Sequence, residues 1–152
     1  MLKKFMYMVS LCLIVLSGCG TTEDPTIEEE NGNGHSGIVA GEVESMLEET
    51  GDLTYVYTVK NQTEDEIPLS FTSSQRYDFE LTNETGEVVY LHSSVTSYLQ
   101  QLGEETIAQG EMLEYPIDIT QVGLESGDYT LKAWMTPTDG PMYDSTIDIS
   151  VE

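Results

Sequence analysis

From Leu53 to Lys60 apolar and polar side chains alternate, with Leu53, Tyr55, Tyr57 and Val59 on one face. That period of two, rich in aromatic and β-branched residues, predicts a half-buried β-strand. The same alternation sets Gln75, Tyr77, Phe79 and Leu81 against Arg76, Asp78 and Glu80. The turn-forming Asn83-Glu-Thr-Gly86 and the run Glu87–Leu91 follow, so 75–92 is predicted as a β-hairpin. Tyr129, Leu131, Ala133 and Met135 share a face, as do Ile147, Ile149 and Val151. Weaker patterns place strands at 38–47, 67–71 and 112–119, and a helical turn at 98–102. Turn chemistry separates the strands at 49–52, 108–110, 125–128 and 138–141. Seven or eight short strands at this spacing predict an all-β fold, an antiparallel immunoglobulin-like β-sandwich.

The first residues follow a different pattern. Lys3 and Lys4 precede an almost wholly apolar run from Phe5 to Leu16, then Ser17 and Gly18. This is the layout of a secretory signal, and the run is shorter than the roughly 20 residues a spanning helix needs. Leu16-Ser17-Gly18-Cys19 is similar to the bacterial lipobox, which implies a cleaved lipoprotein signal at 1–18 and a fatty-acylated Cys19 at the mature N-terminus. The expected partner of Cys19 is therefore the membrane, through covalent lipid, on its outer, extracytoplasmic face. Residues 19–37 are acidic and Gly-rich with one large apolar side chain, Ile27, and read as a flexible linker. Residues 38–152 have the size of one domain with one core.

Charge and cysteine content exclude several functions. After Cys19 stand 28 acidic residues against Lys60, Arg76 and Lys132, a formal charge of −25. Such a surface repels nucleic acid, which is not expected as a partner, and repels anionic headgroups. Cys12 leaves with the signal, so the mature chain has no thiol pair for a disulfide or a redox couple. One domain histidine, His92, and no domain cysteine leave too few ligands for a zinc centre. Acidic loops at Thr63–Glu66 and Thr138–Gly140 could supply oxygen ligands to calcium, but they lack EF-hand spacing and read more simply as solvated loops. A Ser-His-Asp triad would have to use His92, and nothing else in the sequence points to it. We expect no enzyme, no catalytic residue, no cofactor and no metal.

Arg76 is the only arginine. In an acidic chain a lone guanidinium either contacts a partner or, the stronger reading, is an internal hydrogen-bonding clamp between strand and loop that holds carboxylates. It belongs to a longer signature, Ser73-Ser-Gln-Arg-Tyr-Asp-Phe79, followed by Gly86-Glu-Val-Val-Tyr90, Tyr98-Leu-Gln-Gln-Leu-Gly-Glu-Glu-Thr106, Gln109-Gly-Glu111 and Gly127-Asp-Tyr-Thr-Leu131. In order and spacing these segments resemble the BsuPI family of proteinase inhibitors. The chain departs from that family's pattern where Tyr90, His92 and Ile117 replace frequent tryptophans. The resemblance implies a small β-sandwich, a structural role for Gln75, Arg76, Tyr77, Asp78 and Phe79, and a serine protease as partner. A non-inhibitory surface module contacting another protein is the alternative. As a protease-contact loop the sequence offers Thr136–Tyr143, stiffened by Pro137 and Pro141, with Met142 or Tyr143 to fill an apolar pocket.

Overall fold

A computed structural model describes residues 41–152. The expectations for the signal segment, Cys19 and the linker fall outside the described residues. The domain is all-β and antiparallel, with nine strands and one helical turn. They are β1 (Val43–Gly51), β2 (Thr54–Asn61), β3 (Ile67–Phe71), β4 (Tyr77–Asn83), β5 (Val88–Leu91), α1 (His92–Val95), β6 (Gly103–Ile107), β7 (Met112–Asp118), β8 (Gly127–Met135) and β9 (Met142–Val151). The ladders run β1-β2-β7, β3-β6 and β5-β4-β8-β9. Their inward faces meet in one core: Tyr55, Tyr57, Val59 and Ile117 from the first ladder, Leu69, Phe71 and Ile107 from the second, Phe79, Leu81, Leu131, Ala133, Met135 and Ile149 from the third. The alternations at 53–60, 75–81 and 129–135 pointed to Tyr55, Tyr57, Val59, Phe79, Leu81, Leu131, Ala133 and Met135 among these, because a strand with one face buried must put every second residue inside.

Hydrogen bonds between side chains and backbone tie the layers together. The Tyr57 hydroxyl donates to the carbonyl of Tyr143. That carbonyl is exposed to it because β9 is irregular here. Ala133 pairs with Ser145 and Met135 with Met142, so Tyr143 and Asp144 together face Trp134, and Tyr143 has a φ of 56°. A bulge of this kind re-aims a strand's groups at the cost of a regular pair. Ser45 Oγ donates to the carbonyl of Asp144 at 2.8 Å, joining β1 to the same bulge.

Four expectations need correction. The count is nine strands rather than seven or eight, since Gly103–Ile107 forms β6. The expected turn at 49–52 gives way to a β1 that continues to Gly51 through an irregular register after Glu49. Asp52 and Leu53 make the turn instead, with Leu53 at a φ of 53° and its carbonyl accepting the Ile119 N–H at 3.0 Å. The helical turn lies at His92–Val95, and 98–102 is an irregular loop. Met142 and Tyr143, read as loop residues, open β9 and are half-buried against the core. Their apolar surface gains more from burial than from display in water.

Candidate functional site

The signature residues 73–79 form a corner between β3 and β4. Ser73 Oγ accepts the Gln75 N–H at 3.1 Å, and Gln75 Nε2 donates to the Tyr77 carbonyl at 3.2 Å. Arg76 lies with its Cζ 4.4 Å from the centre of the Phe71 ring. From there Nε donates to Glu105 Oε1 on β6 at 2.7 Å, and Nη1 donates to the Ser73 and Gln75 carbonyls at 2.8 and 3.3 Å. The guanidinium passes directly over Gly103, where any Cβ would overlap Nη2 and lie 3.1 Å from Cζ. Glu105 also accepts the Tyr115 hydroxyl, 3.2 Å from Oε2, which brings in β7. Arg76 thus ties the corner to β6.

Asp78, buried, serves a different joint. Its Oδ1 accepts the N–H groups of Phe79 at 2.9 Å and Ser93 at 3.0 Å, fixing the start of α1 to β4. The Tyr77 hydroxyl donates to the Pro116 carbonyl at 2.9 Å, and Phe79 is in the core. Around them runs an aromatic stack. Tyr77 lies 4.8 Å from Tyr115 between ring centres, His92 lies 4.6 Å from Phe79, and Tyr98 meets His92 edge-on at 6.4 Å. The His92 ring nitrogens approach Tyr90 Oη and Thr96 Oγ1 at 3.5 Å. Tyr90, His92 and Ile117 occupy core-facing or stacked positions, so the departures from tryptophan fall where neighbouring rings and aliphatic groups fill the space.

Burial pushes the tyrosine hydroxyls Tyr55, Tyr57, Tyr77, Tyr90 and Tyr115 above their ordinary pKa of 10.0, and Tyr98 up to about 12. Nearby carboxylates add to the effect, Asp78 at Tyr98 and Glu105 at Tyr115. Above pH ~10 the unfolded chain loses tyrosine protons that the folded chain keeps, so the tyrosines' contribution to stability is constant through neutrality and falls with rising pH. Each such tyrosine contributes a slope of at most about 1.4 kcal/mol per pH unit, less where solvent screens it. Melting temperature should therefore drop steeply between about pH 10 and 12. A flat profile across that range would contradict this reading.

Two loops stand out as contact surfaces. The first is 136–141. The Thr136 N–H donates to the Arg76 carbonyl at 3.0 Å, and Thr138 N–H and Oγ1 both reach the Ser70 carbonyl, at 2.7 and 3.0 Å. Pro137 is buried and Pro141 exposed. The loop is thus pinned against β3, with Pro137 buried, Met142 and Tyr143 half-buried and Pro141 alone exposed among the four.

The second loop is 96–102, between α1 and β6. Val95, Leu99 and Leu102 around it are 67%, 70% and 82% exposed. Its middle is held rigidly. The Leu99 N–H donates to Ser74 Oγ at 2.9 Å, the Leu99 carbonyl accepts the Ser74 N–H at 2.9 Å, and it also accepts the Gln101 N–H at 3.0 Å. Ser74 belongs to the Arg76 corner, so the loop is mounted on a cross-braced part of the domain. Sequence reasoning missed this surface. A signal was present, however: 88–103 carries no charged side chain over 16 residues of a chain with 28 acids. Five of the six exposed large hydrophobic residues of the described domain lie in it: Val88, Val89, Val95, Leu99 and Leu102.

The family model for BsuPI, the intracellular proteinase inhibitor, matches residues 41–139. The chain belongs to the BsuPI family. No curated protein matches it. The BsuPI match takes in the Arg76 corner, the aromatic stack and the whole of 96–102. It ends before Pro141, Met142 and Tyr143.

Proposed function

We propose that this protein is a lipid-anchored inhibitor of serine proteases that works at the outer face of the cell membrane. The observation that carries the inhibitor part is the BsuPI match over 41–139. The domain's physics is consistent with it. A protein inhibitor needs a contact loop already fixed in its bound shape, because ordering a loop on binding weakens affinity. A bonded sandwich corner supplies that rigidity. The anchor is argued from the signal-like start and Leu16–Cys19, with the −25 charge leaving covalent lipid as the means of holding to an anionic surface.

The anchor is tested by Cys19→Ser. The variant should move from the membrane fraction to the soluble one and lose incorporation of labelled fatty acid. Continued membrane association and labelling would overturn it. Inhibition is tested by adding full-length protein, in detergent, to a fixed amount of active serine protease and following residual activity. A linear fall to an equivalence point is expected. Full residual activity against every protease tried, with the protein folded and uncleaved, would leave the domain as a non-inhibitory contact module.

A further inference from the structure

We propose that the loop 96–102 is the part that enters the protease cleft, with Leu102 seated in an apolar specificity pocket and Leu99 against its rim. This rests on the inhibitor reading above. Three independent observations converge on the loop. It displays the two most exposed large hydrophobic side chains of the described domain, Leu102 and Leu99. It lies in the 88–103 stretch without charge, so the side chains before and at Leu102 bring no carboxylate to be stripped of water on docking, and the exposed Glu104 follows two residues later. Its backbone is braced by Ser74.

Backbone bonding also divides the roles of the two leucines. The N–H and C=O of Leu99 are both engaged within the domain, by Ser74 and by Ser74 with Gln101. Leu99 therefore has no main-chain group left to pair with a protease. Leu102 lies just before β6, outside the ladders, and none of the turn and loop backbone bonds involve it. Its N–H and C=O are free to add to the edge of a cleft in the extended manner of a substrate. Gly103, which follows it, is held in register by pairing with Phe71 and by the guanidinium beneath it.

The same reading sets a specificity. The basic residues of the described domain are Lys60, Arg76 and Lys132. Arg76 is bound to Glu105, Lys132 lies 3.4 Å from Asp144, and Lys60 is within β2. None of them lies in 96–102, so the loop offers nothing to a pocket that selects for basic side chains, as trypsin's does with its buried aspartate, whereas Leu102 suits the hydrophobic slot of chymotrypsin.

The test is a residual-activity titration of full-length protein against chymotrypsin and trypsin. Wild type should inhibit chymotrypsin stoichiometrically and spare trypsin. Leu102→Asp should weaken inhibition of chymotrypsin about 100-fold or more, as loss of a central interface anchor does. Leu102→Arg should move inhibition to trypsin, while Met142→Ala should leave it unchanged. Leu102 is too exposed to support the fold, and an unchanged melting temperature verifies that each variant is native. Inhibition of chymotrypsin that survives Leu102→Asp would overturn the loop assignment while leaving the inhibitor reading intact, as would wild-type inhibition of trypsin alone. Absence of inhibition by wild type would instead remove the reading on which the assignment rests.

Discussion

Replacing Asn61 by alanine is expected to destabilise the domain by about 3 kcal/mol and lower its melting temperature by about 12 °C. Asn61 closes β2 and is fully buried. Its Nδ2 donates to the carbonyls of Asp65 at 2.7 Å and Ile107 at 2.8 Å. Its Oδ1 accepts Thr63 N–H at 2.9 Å and Thr63 Oγ1 at 2.7 Å. The backbone adds two more bonds, to the Glu111 carbonyl and from the Gly110 N–H. One residue thus joins the end of β2, the connection to β3, the end of β6 and the turn into β7. Alanine would leave the Ile107 carbonyl short of a partner in a buried place, which alone costs about 1–3 kcal/mol. The exposed Asp65 segment can take water instead, which keeps the total near 3 rather than higher. Asn61→Asp should be worse at pH 7 than at pH 4, because a carboxylate there would face two carbonyl oxygens and only its protonated form can donate. Denaturant unfolding of the three proteins measures this. A loss under about 1 kcal/mol for alanine would contradict the hub role.

The second large effect is expected at Arg76. Arg76→Ala removes the bond to Glu105, two bonds to carbonyls of the corner and the cover over Phe71, at a cost of about 2 kcal/mol. The ion pair is a third open to water on the Glu105 side and contributes the smaller part. Lysine should recover little, since it lacks the flat fork that stacks and donates in several directions. The sharper test is non-additivity. Gly103→Ala should cost about 1–2 kcal/mol in the native background, because its methyl displaces the guanidinium. With Arg76→Ala already in place the same change should be nearly neutral, giving a coupling of about 1 kcal/mol or more. Additive losses would mean that Gly103 is needed for some other reason.

These two sites also show where the sequence was readable. The strands with aromatic or aliphatic residues at every second position, β2, β4, β8 and β9, were legible because burial of one face imposes that pattern. β6 was not. Its inward positions are Gly103, Glu105 and Ile107, two of them shaped to receive Arg76 rather than the core, so the apolar alternation is lost. Arg76 itself was legible as a clamp, since an arginine among so many carboxylates has few other uses, but its partner 29 residues away was not. Asn61 reads locally as part of a turn, and its burial depends on three segments that meet only in the fold. Thr136–Tyr143 attracted attention through its prolines, yet Pro137 packs inward and Met142 and Tyr143 join a strand. The surface at 96–102 was missed because two leucines, two glutamines and a tyrosine suggest a helical turn, whereas bonds to Ser74 hold the chain open.

The central claim is that this domain fills a serine protease's cleft. Calorimetric titration of the full-length protein into chymotrypsin tests it most directly, once with the cleft free and once with a tight small-molecule inhibitor in it. One-to-one binding that disappears when the cleft is occupied is the predicted result. Binding that persists with the cleft occupied, or no binding to the free enzyme, would contradict it.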